Sequence, residues 1–197
     1  MKEMAYLGHV ISKEGIKPNP NKIKVVKNYP IPKTCKEIKA YLGLLGYYRQ
    51  LIPNFAKLMK PLTNGLRMGY KINIKDENFK ESKTLLVNSP ILQYPNFEKI
   101  FSLTTNASNF ALGVALSQNV NGKDLPIAYA SRTLNNHEIN YSIIEKELLS
   151  IVWSTKYFGP YVRVTFDGTL SFHRKCLKTC AVISWDRTDV FKHFRSS

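Results

Sequence analysis

The spacing of apolar residues in the first third of the chain predicts short elements separated by well-marked turns. Residues 4–11 form an apolar run that predicts one short buried strand, followed by a turn at residues 12–15. Asn19 and Pro20 are typical of a helix start, with asparagine as the capping residue and proline at the first helical position. We expect this helix to end before Pro30, because proline cannot continue a helix.

A second, longer helix is predicted to begin at Thr34, which forms a capping-box pattern with Glu37. Its apolar residues recur at intervals of three and four positions, which is typical of one buried stripe. They are Ile38, Tyr41, Leu42, Leu45 and Tyr48. Gly43 and Gly46 each cost about 1 kcal/mol relative to alanine inside a helix, so we expect them to allow close packing against another element. Pro61 is expected to stop the short helical turn that follows.

The second half of the chain predicts strands and then a helix. Strand-like runs joined by short turns indicate an antiparallel meander. They cover residues 100–105, 111–118 and 125–131. A capping box at Ser142 and Glu145 opens a helix that ends near Tyr157, and no element is predicted beyond Tyr161. The predicted fold class is therefore α+β, with a basic helical module followed by an incomplete α/β domain of three antiparallel strands and a helix.

Positive charge is concentrated in the first half of the chain. Residues 1–99 carry 18 lysines and arginines against 7 acidic residues, whereas residues 100–197 carry 11 against 7, and the net charge is +15. This imbalance favours a polyanionic partner, nucleic acid above all, although a basic surface also serves plain solubility.

Composition disfavours several other classes of protein. No apolar stretch reaches the length of about 18 residues that a membrane-spanning helix needs, and the first residues lead into no signal-like run. Cys35, Cys176 and Cys180 fit a reducing compartment better than a disulfide framework. We therefore expect an intracellular protein of the cytoplasm or nucleus that is neither secreted nor held in a membrane.

A series of motifs resembles the reverse transcriptases of gypsy-type long-terminal-repeat retrotransposons. The motifs are Tyr-Leu-Gly-His at residues 6–9, Tyr-Leu-Gly-Leu-Leu-Gly-Tyr-Tyr-Arg at 41–49, Ser-Pro-Ile-Leu at 89–92, Pro-Ile-Ala-Tyr-Ala-Ser-Arg at 126–132 and Asn-Tyr-Ser at 140–142. They are long, numerous and in the family's order, so the resemblance is specific. It covers residues 6–161 and makes the chain resemble a fragment of a retrotransposon Pol polyprotein.

The resemblance implies a division of the chain into four parts. Residues 1–62 are similar to a thumb-like module, 63–98 to a connector and 99–161 to part of an RNase H-like domain, whereas 162–197 have no match. In the family the thumb holds a template–primer duplex through its backbone, which implies nucleic-acid contacts here. The candidates are Gly8, His9, Lys22, Lys24, Lys36, Lys39 and Arg49.

The resemblance also implies a nuclease site, from which the chain departs. The family's first strand ends in a metal-binding Asp, and Asn106 stands in that place without the negative charge. Glu147 matches the metal ligand on the helix, and a stripe shared with Ile144, Leu148 and Ile151 would turn it toward the sheet. Asp167 is a weak match for the third carboxylate, because the preceding strand is largely missing.

Cleavage by such a site uses two divalent ions, here Mg²⁺ or Mn²⁺ if any activity remains. With Asn106 in place of a carboxylate we expect no nuclease activity, and without a Tyr-x-Asp-Asp motif we expect no polymerase activity. The leading interpretation is an inactive Pol fragment that binds an RNA–DNA hybrid or duplex. One alternative is a residually active endonuclease on RNA–DNA hybrids that uses Glu147 and Asp167, and another is a non-enzymatic basic nucleic-acid-binding module.

Overall fold

The chain begins with a small antiparallel sheet in the computed structural model, which describes residues 3–64, 66, 76–161, 171–172 and 180–185. Its strands are β1 (Met4–Tyr6), β2 (His9–Ser12) and β3 (Gly15–Pro18). The single buried strand predicted for residues 4–11 is wrong. Leu7 and Gly8 both take positive φ angles, 42° and 74°, and turn the chain back into a hairpin.

Helices follow this sheet, and both predicted helix starts are confirmed. The helices are α1 (Pro20–Lys27), α2 (Cys35–Tyr47), α3 (Phe55–Asn64) and α4 (Asp76–Val87), with a 3-10 turn at Arg49–Leu51. Asn19 caps α1 by accepting the Asn21 N–H at 2.9 Å, and Thr34 caps α2 by accepting the Glu37 N–H at 3.2 Å. No helix in the described part of the chain is both long enough and apolar enough to span a membrane.

The apolar faces of these helices share one core. Its buried members are Val26, Ile38, Tyr41, Leu45, Tyr48, Leu51, Ile52, Met59, Leu62, Phe79, Leu86 and Leu92. The predicted stripe of α2 is therefore confirmed, with Leu42 only partly buried. Fully burying one such large side chain contributes about 1.5–3 kcal/mol. The hydroxyl of Tyr41 is satisfied inside this core by Ser82 Oγ at 2.7 Å.

Two expectations for α2 and α3 are wrong. A Cβ added at Gly43 or Gly46 would meet nothing within 4 Å, so neither glycine serves close packing. Pro61 lies inside α3 instead of ending it. The helix tolerates the lost backbone hydrogen bond because Met59 and Leu62, on either side of the proline, are buried in the core.

The second sheet contains the three predicted strands and extends further than expected. Its strands are β4 (Phe101–Ala107), β5 (Ala111–Val120), β6 (Lys123–Thr133), β7 (Ser171–Phe172) and β8 (Cys180–Trp185). Their spatial order is β6-β5-β4-β8-β7, and each neighbouring pair is antiparallel. The expectation of no element beyond Tyr161 is wrong, because β8 pairs with β4 and covers backbone groups that would otherwise form an open sheet edge.

Helix α5 (Ile143–Tyr157) packs against β4 and β5. Its predicted capping box is confirmed, since the Glu145 N–H donates to Ser142 Oγ at 3.3 Å and the Ser142 N–H donates to the Glu145 carboxylate at 2.7 Å. A second core lies beneath the helix. Its buried members are Phe101, Leu103, Val114, Leu116, Ile127, Ala130 and Phe158.

The helical part and the second sheet are joined along α3, which contacts β5 and β6. The backbone N–H of Ala56 donates to Ser131 Oγ at 2.8 Å, and Lys60 Nζ lies 3.8 Å from the centre of the Phe110 ring. We call this contact the α3–sheet interface. It brings residues near position 55 close to the turn between β4 and β5.

The segment between α4 and β4 ties the first sheet to the rest of the chain. Ile16 of β3 and Leu92 exchange two backbone hydrogen bonds, at 2.8 and 2.9 Å. The Tyr94 hydroxyl donates to the Ser12 carbonyl at 2.9 Å. The hairpin sheet is thereby anchored on its β3 side.

Candidate functional site

A pocket of about 450 Å³ opens where α3, the β4–β5 turn and the start of α5 meet. Both parts of the chain build it, because the α3–sheet interface supplies one wall and α5 supplies another. Its charged and amide side chains are Asn54, Lys57, Asn106, Asn109, Lys146 and Glu147. The pocket therefore contains both predicted nuclease residues that the structure describes, together with residues that received no predicted role.

Glu147 is the acidic group of the pocket and is only 7% exposed. Burial raises the pKa of its carboxyl to about 7, while a hydrogen bond from the Ala107 N–H acts in the opposite direction. The Oε2 atom has no hydrogen-bond partner among the described residues. The carboxyl group is therefore partly protonated at neutral pH.

Glu147 points inward, but two of the three neighbours predicted to share its face do not. Ile144 is 73% exposed and Leu148 is 50% exposed, so the expected stripe is wrong at these positions, whereas Ile151 packs partly buried against the second core. Ser150 and Ser154 are fully buried instead. Their hydroxyls donate to helix carbonyls one turn earlier, at 2.8 and 2.9 Å. These small side chains let α5 approach the sheet closely, which is how an acidic residue becomes buried there.

Asn106 lies near the end of β4, directly opposite Gly113 of β5. It precedes Ala107, whose N–H contacts Glu147, so Asn106 and Glu147 line the same pocket. Asn54, the residue before α3, reaches the same place, where its side-chain oxygen would overlap any Cβ at Gly113. Asn54 also holds a positive φ of 53°, a conformation that asparagine adopts more readily than most residues.

Two lysines in the pocket have no role predicted from the sequence. Lys57 enters from α3, and Lys146 enters from α5 beside Glu147. Lys146 is only 7% exposed, like its neighbour. The clustered lysines of α1 and α2 gave the stronger indication of a basic binding surface. Only the folded structure, in which α3 and α5 each contribute to one pocket, shows that these two lysines share it.

Metal-binding groups are scarce in the described part of the chain. Glu147 is the one acidic residue among those lining the pocket, and no group of three or more His, Cys, Asp or Glu residues lies together in the described ranges. Asp167, the third predicted carboxylate, lies outside the described residues. Two-metal cleavage needs several carboxylates to hold its ions. The described residues therefore do not fit a pair of Mg²⁺ or Mn²⁺ ions.

The predicted basic contacts lie on the surface of the helical part. Each is exposed, and they are Lys22 and Lys24 of α1, Lys36 and Lys39 of α2, and Arg49 of the 3-10 turn. Exposed lysines and arginines are suited to contacts with phosphate oxygens, which carry no sequence information.

Gly8 and His9 lie at the hairpin between β1 and β2, and tyrosines from the end of α2 hold them. The His9 ring stacks on Tyr47 with centroids 5.4 Å apart. Tyr48 donates its hydroxyl to the Gly8 carbonyl at 3.1 Å, and Tyr47 donates to Leu7. Burial lowers the pKa of His9 below its usual value of 6.5, so His9 is neutral at pH 7 and adds no charge to a phosphate contact.

An antiparallel sheet whose packed helix buries a carboxylate beside the end of β4 is an RNase H-like arrangement. The family model described as "RNase H-like domain found in reverse transcriptase" matches residues 73–166. The match covers the second sheet through β6 and all of α5.

The curated relatives are retrotransposon polyproteins. The chain is 54% identical over 165 residues to the Retrovirus-related Pol polyprotein from transposon 297 of Drosophila melanogaster, with 82% of this chain and 15% of that protein covered. It is 38% identical over 164 residues to the Pol polyprotein from transposon gypsy of the same organism, with 76% and 16% covered. The chain thus belongs to the retrotransposon Pol family, as its motifs predicted, and spans less than a fifth of these two relatives.

Solved structures agree with this assignment. The foamy viral protease-reverse transcriptase in complex with an RNA/DNA hybrid is 26% identical, with a TM-score of 0.67 over 79% of this chain and 22% of that one. The complex of the foamy viral enzyme with double-stranded DNA gives a TM-score of 0.68 at 26% identity, over 81% of this chain and 34% of that one.

Proposed function

We propose that this segment of Pol binds an RNA–DNA hybrid or a DNA duplex and does not cleave it. One observation carries the proposal. Among the described residues that line the pocket, Glu147 is the sole carboxylate, and two lysines and Asn106 line the same pocket. A pocket with this charge balance holds no pair of divalent ions, so the two-metal reaction lacks its cofactor.

Binding is favoured by the basic surface of the helical part. Residues 1–99 carry 18 basic against 7 acidic residues, and the five predicted lysine and arginine contacts are exposed. Two solved relatives are described in complex with an RNA/DNA hybrid and with double-stranded DNA, which supports the same class of ligand here. Contacts of this kind are salt-dependent and tolerate any base sequence.

Cleavage of a labelled RNA–DNA hybrid tests the enzymatic half of the proposal. We expect no product from the purified chain in Mg²⁺ or in Mn²⁺, and none from Glu147→Gln. An active RNase H in the same buffers controls for substrate quality, and circular dichroism controls for folding. Cleavage by the original chain that disappears in Glu147→Gln would contradict the proposal and support the residual nuclease.

Binding of the same hybrid at increasing salt tests the other half. Charge reversal of Lys36 and Lys39 together (Lys36→Glu, Lys39→Glu) removes two phosphate contacts. It is expected to reduce the slope of the logarithm of the binding constant against the logarithm of the salt concentration by about 2. Fluorescence anisotropy between about 50 and 200 mM salt measures this slope. Lys123→Glu with Lys156→Glu is the matched control, because these exposed lysines lie on the second sheet and on α5. Equal slopes in the two double variants would exclude Lys36 and Lys39 as contacts.

A further inference from the structure

We propose that the pocket between α3, the β4–β5 turn and α5 binds a phosphate group directly, without a metal ion. Lys57 and Lys146 supply the positive charge, and the amide of Asn106 supplies a hydrogen-bond donor. The ligand is a backbone phosphate of the bound duplex. The inference rests on the proposed function and adds a metal-free contact to it.

Lys146 points most directly to an anionic ligand. It lines the pocket, and only 7% of it is exposed. Its ammonium group has no ion-pair or hydrogen-bond partner among the described residues. Its aliphatic stem is covered, whereas its Nζ atom is not fully buried, so the charge can be reached by a ligand. An anion in the pocket supplies the missing partner.

The charge balance of the pocket favours an anion over a cation. Among the described lining residues, Lys57 and Lys146 oppose one carboxyl group, that of Glu147, which accepts a hydrogen bond from the Ala107 N–H. An aspartate at position 106 would cancel the remaining positive charge and repel a phosphate. The amide of Asn106 instead carries two N–H donors. The residue type that removes a metal ligand therefore makes the pocket suitable for an anion.

The pocket also has the space and the polar walls that a phosphate needs. Its volume of about 450 Å³ is many times the share of one water molecule, about 30 Å³, so it holds a phosphate with accompanying waters. Asn54 and Asn109 add further amide groups to the walls. Since the two lysines come from α3 and α5, a bound phosphate would bridge the two parts of the chain.

Titration with inorganic phosphate tests this site directly. The full chain is kept in EDTA at constant ionic strength, and NMR follows the backbone amides of residues 107–113. We expect saturable shifts there, and a dissociation constant raised about tenfold or more by Lys146→Met, which removes the charge and keeps the stem. Lys156→Met is the matched control on an exposed position of α5 and should bind like the original chain. Absence of shifts at 107–113, or equal affinity in Lys146→Met, would overturn the site.

Asn106→Asp tests the charge argument without changing a lysine. It should weaken phosphate binding about tenfold, and unchanged affinity would overturn the role of Asn106. A short RNA–DNA hybrid added in EDTA should shift the same amides. A chain that binds the hybrid without those shifts would keep the proposed function and overturn the pocket. A chain that binds inorganic phosphate there but no hybrid would refute the proposed function and the duplex as the ligand.

Discussion

Glu147→Gln is expected to stabilise the folded chain at pH 8 by about 2 kcal/mol. Burial raises the pKa of Glu147 from 4.5 to about 7, so the folded chain holds a proton that the unfolded chain releases between these two values. Stability therefore falls as the pH rises from 4.5 to about 7, and it stays low above that range. Each pKa unit corresponds to about 1.4 kcal/mol, reduced here because the surroundings of a buried charge relax around it. A neutral glutamine avoids this cost.

Urea denaturation at several pH values between 5 and 8 measures this effect. The gain from Glu147→Gln should be smallest at pH 5 and largest at pH 8. Glu145→Gln provides a control of opposite sign on the same helix, because hydrogen bonds from Ser142 lower the pKa of Glu145. That substitution should not stabilise the chain at pH 8. A stability difference for Glu147→Gln that does not change with pH would show that its carboxyl is not held protonated by burial.

Gly15→Ala is expected to destabilise the chain by about 3 kcal/mol or more. Gly15 has a φ angle of +134°, which residues other than glycine rarely adopt. An added Cβ would overlap the Leu92 carbonyl oxygen and approach Ile91 Cγ2 to 2.9 Å. That carbonyl accepts the Ile16 N–H, so relieving the overlap breaks the bridge that anchors β3. Both the backbone strain and the loss of this anchor lower the free energy of unfolding.

Gly43→Ala is the matched control for this substitution. Its added Cβ meets nothing within 4 Å inside α2, so the change should stabilise the chain by about 1 kcal/mol. Thermal or urea unfolding of the two variants gives both values. A loss of less than 1 kcal/mol in Gly15→Ala would mean that the segment around Leu92 moves aside, and that the bridge to β3 contributes little.

The elements that the sequence predicts well are those specified by residues close together in the chain. Asn19 with Pro20, and Ser142 with Glu145, define helix starts within four positions, and both starts are found in the structure. Features that depend on distant contacts were missed. Pro61 continues a helix because the core holds it on both sides, and the pairing of β8 with β4 joins residues about 80 positions apart.

The pocket was predictable only in part. Asn106 and Glu147 were found because they occupy motif positions of a known family, and periodicity alone would have named the wrong buried neighbours for Glu147. Lys57 and Lys146 had no such signal, since each is one basic residue among 29 in the chain. Lys146 is buried, and both lysines line a pocket built from separate elements, neither of which a local pattern shows.

The α3–sheet interface has a consequence for how the RNase H-like unit is defined. The family model begins at residue 73, whereas Asn54 and Lys57 stand on the pocket wall at positions well before it. A recombinant piece excised at the family boundary would keep Glu147 and lose the opposite wall. The smallest portion of this chain that preserves the pocket must therefore include α3. The segment that the family model matches is thus shorter than the segment that builds the pocket.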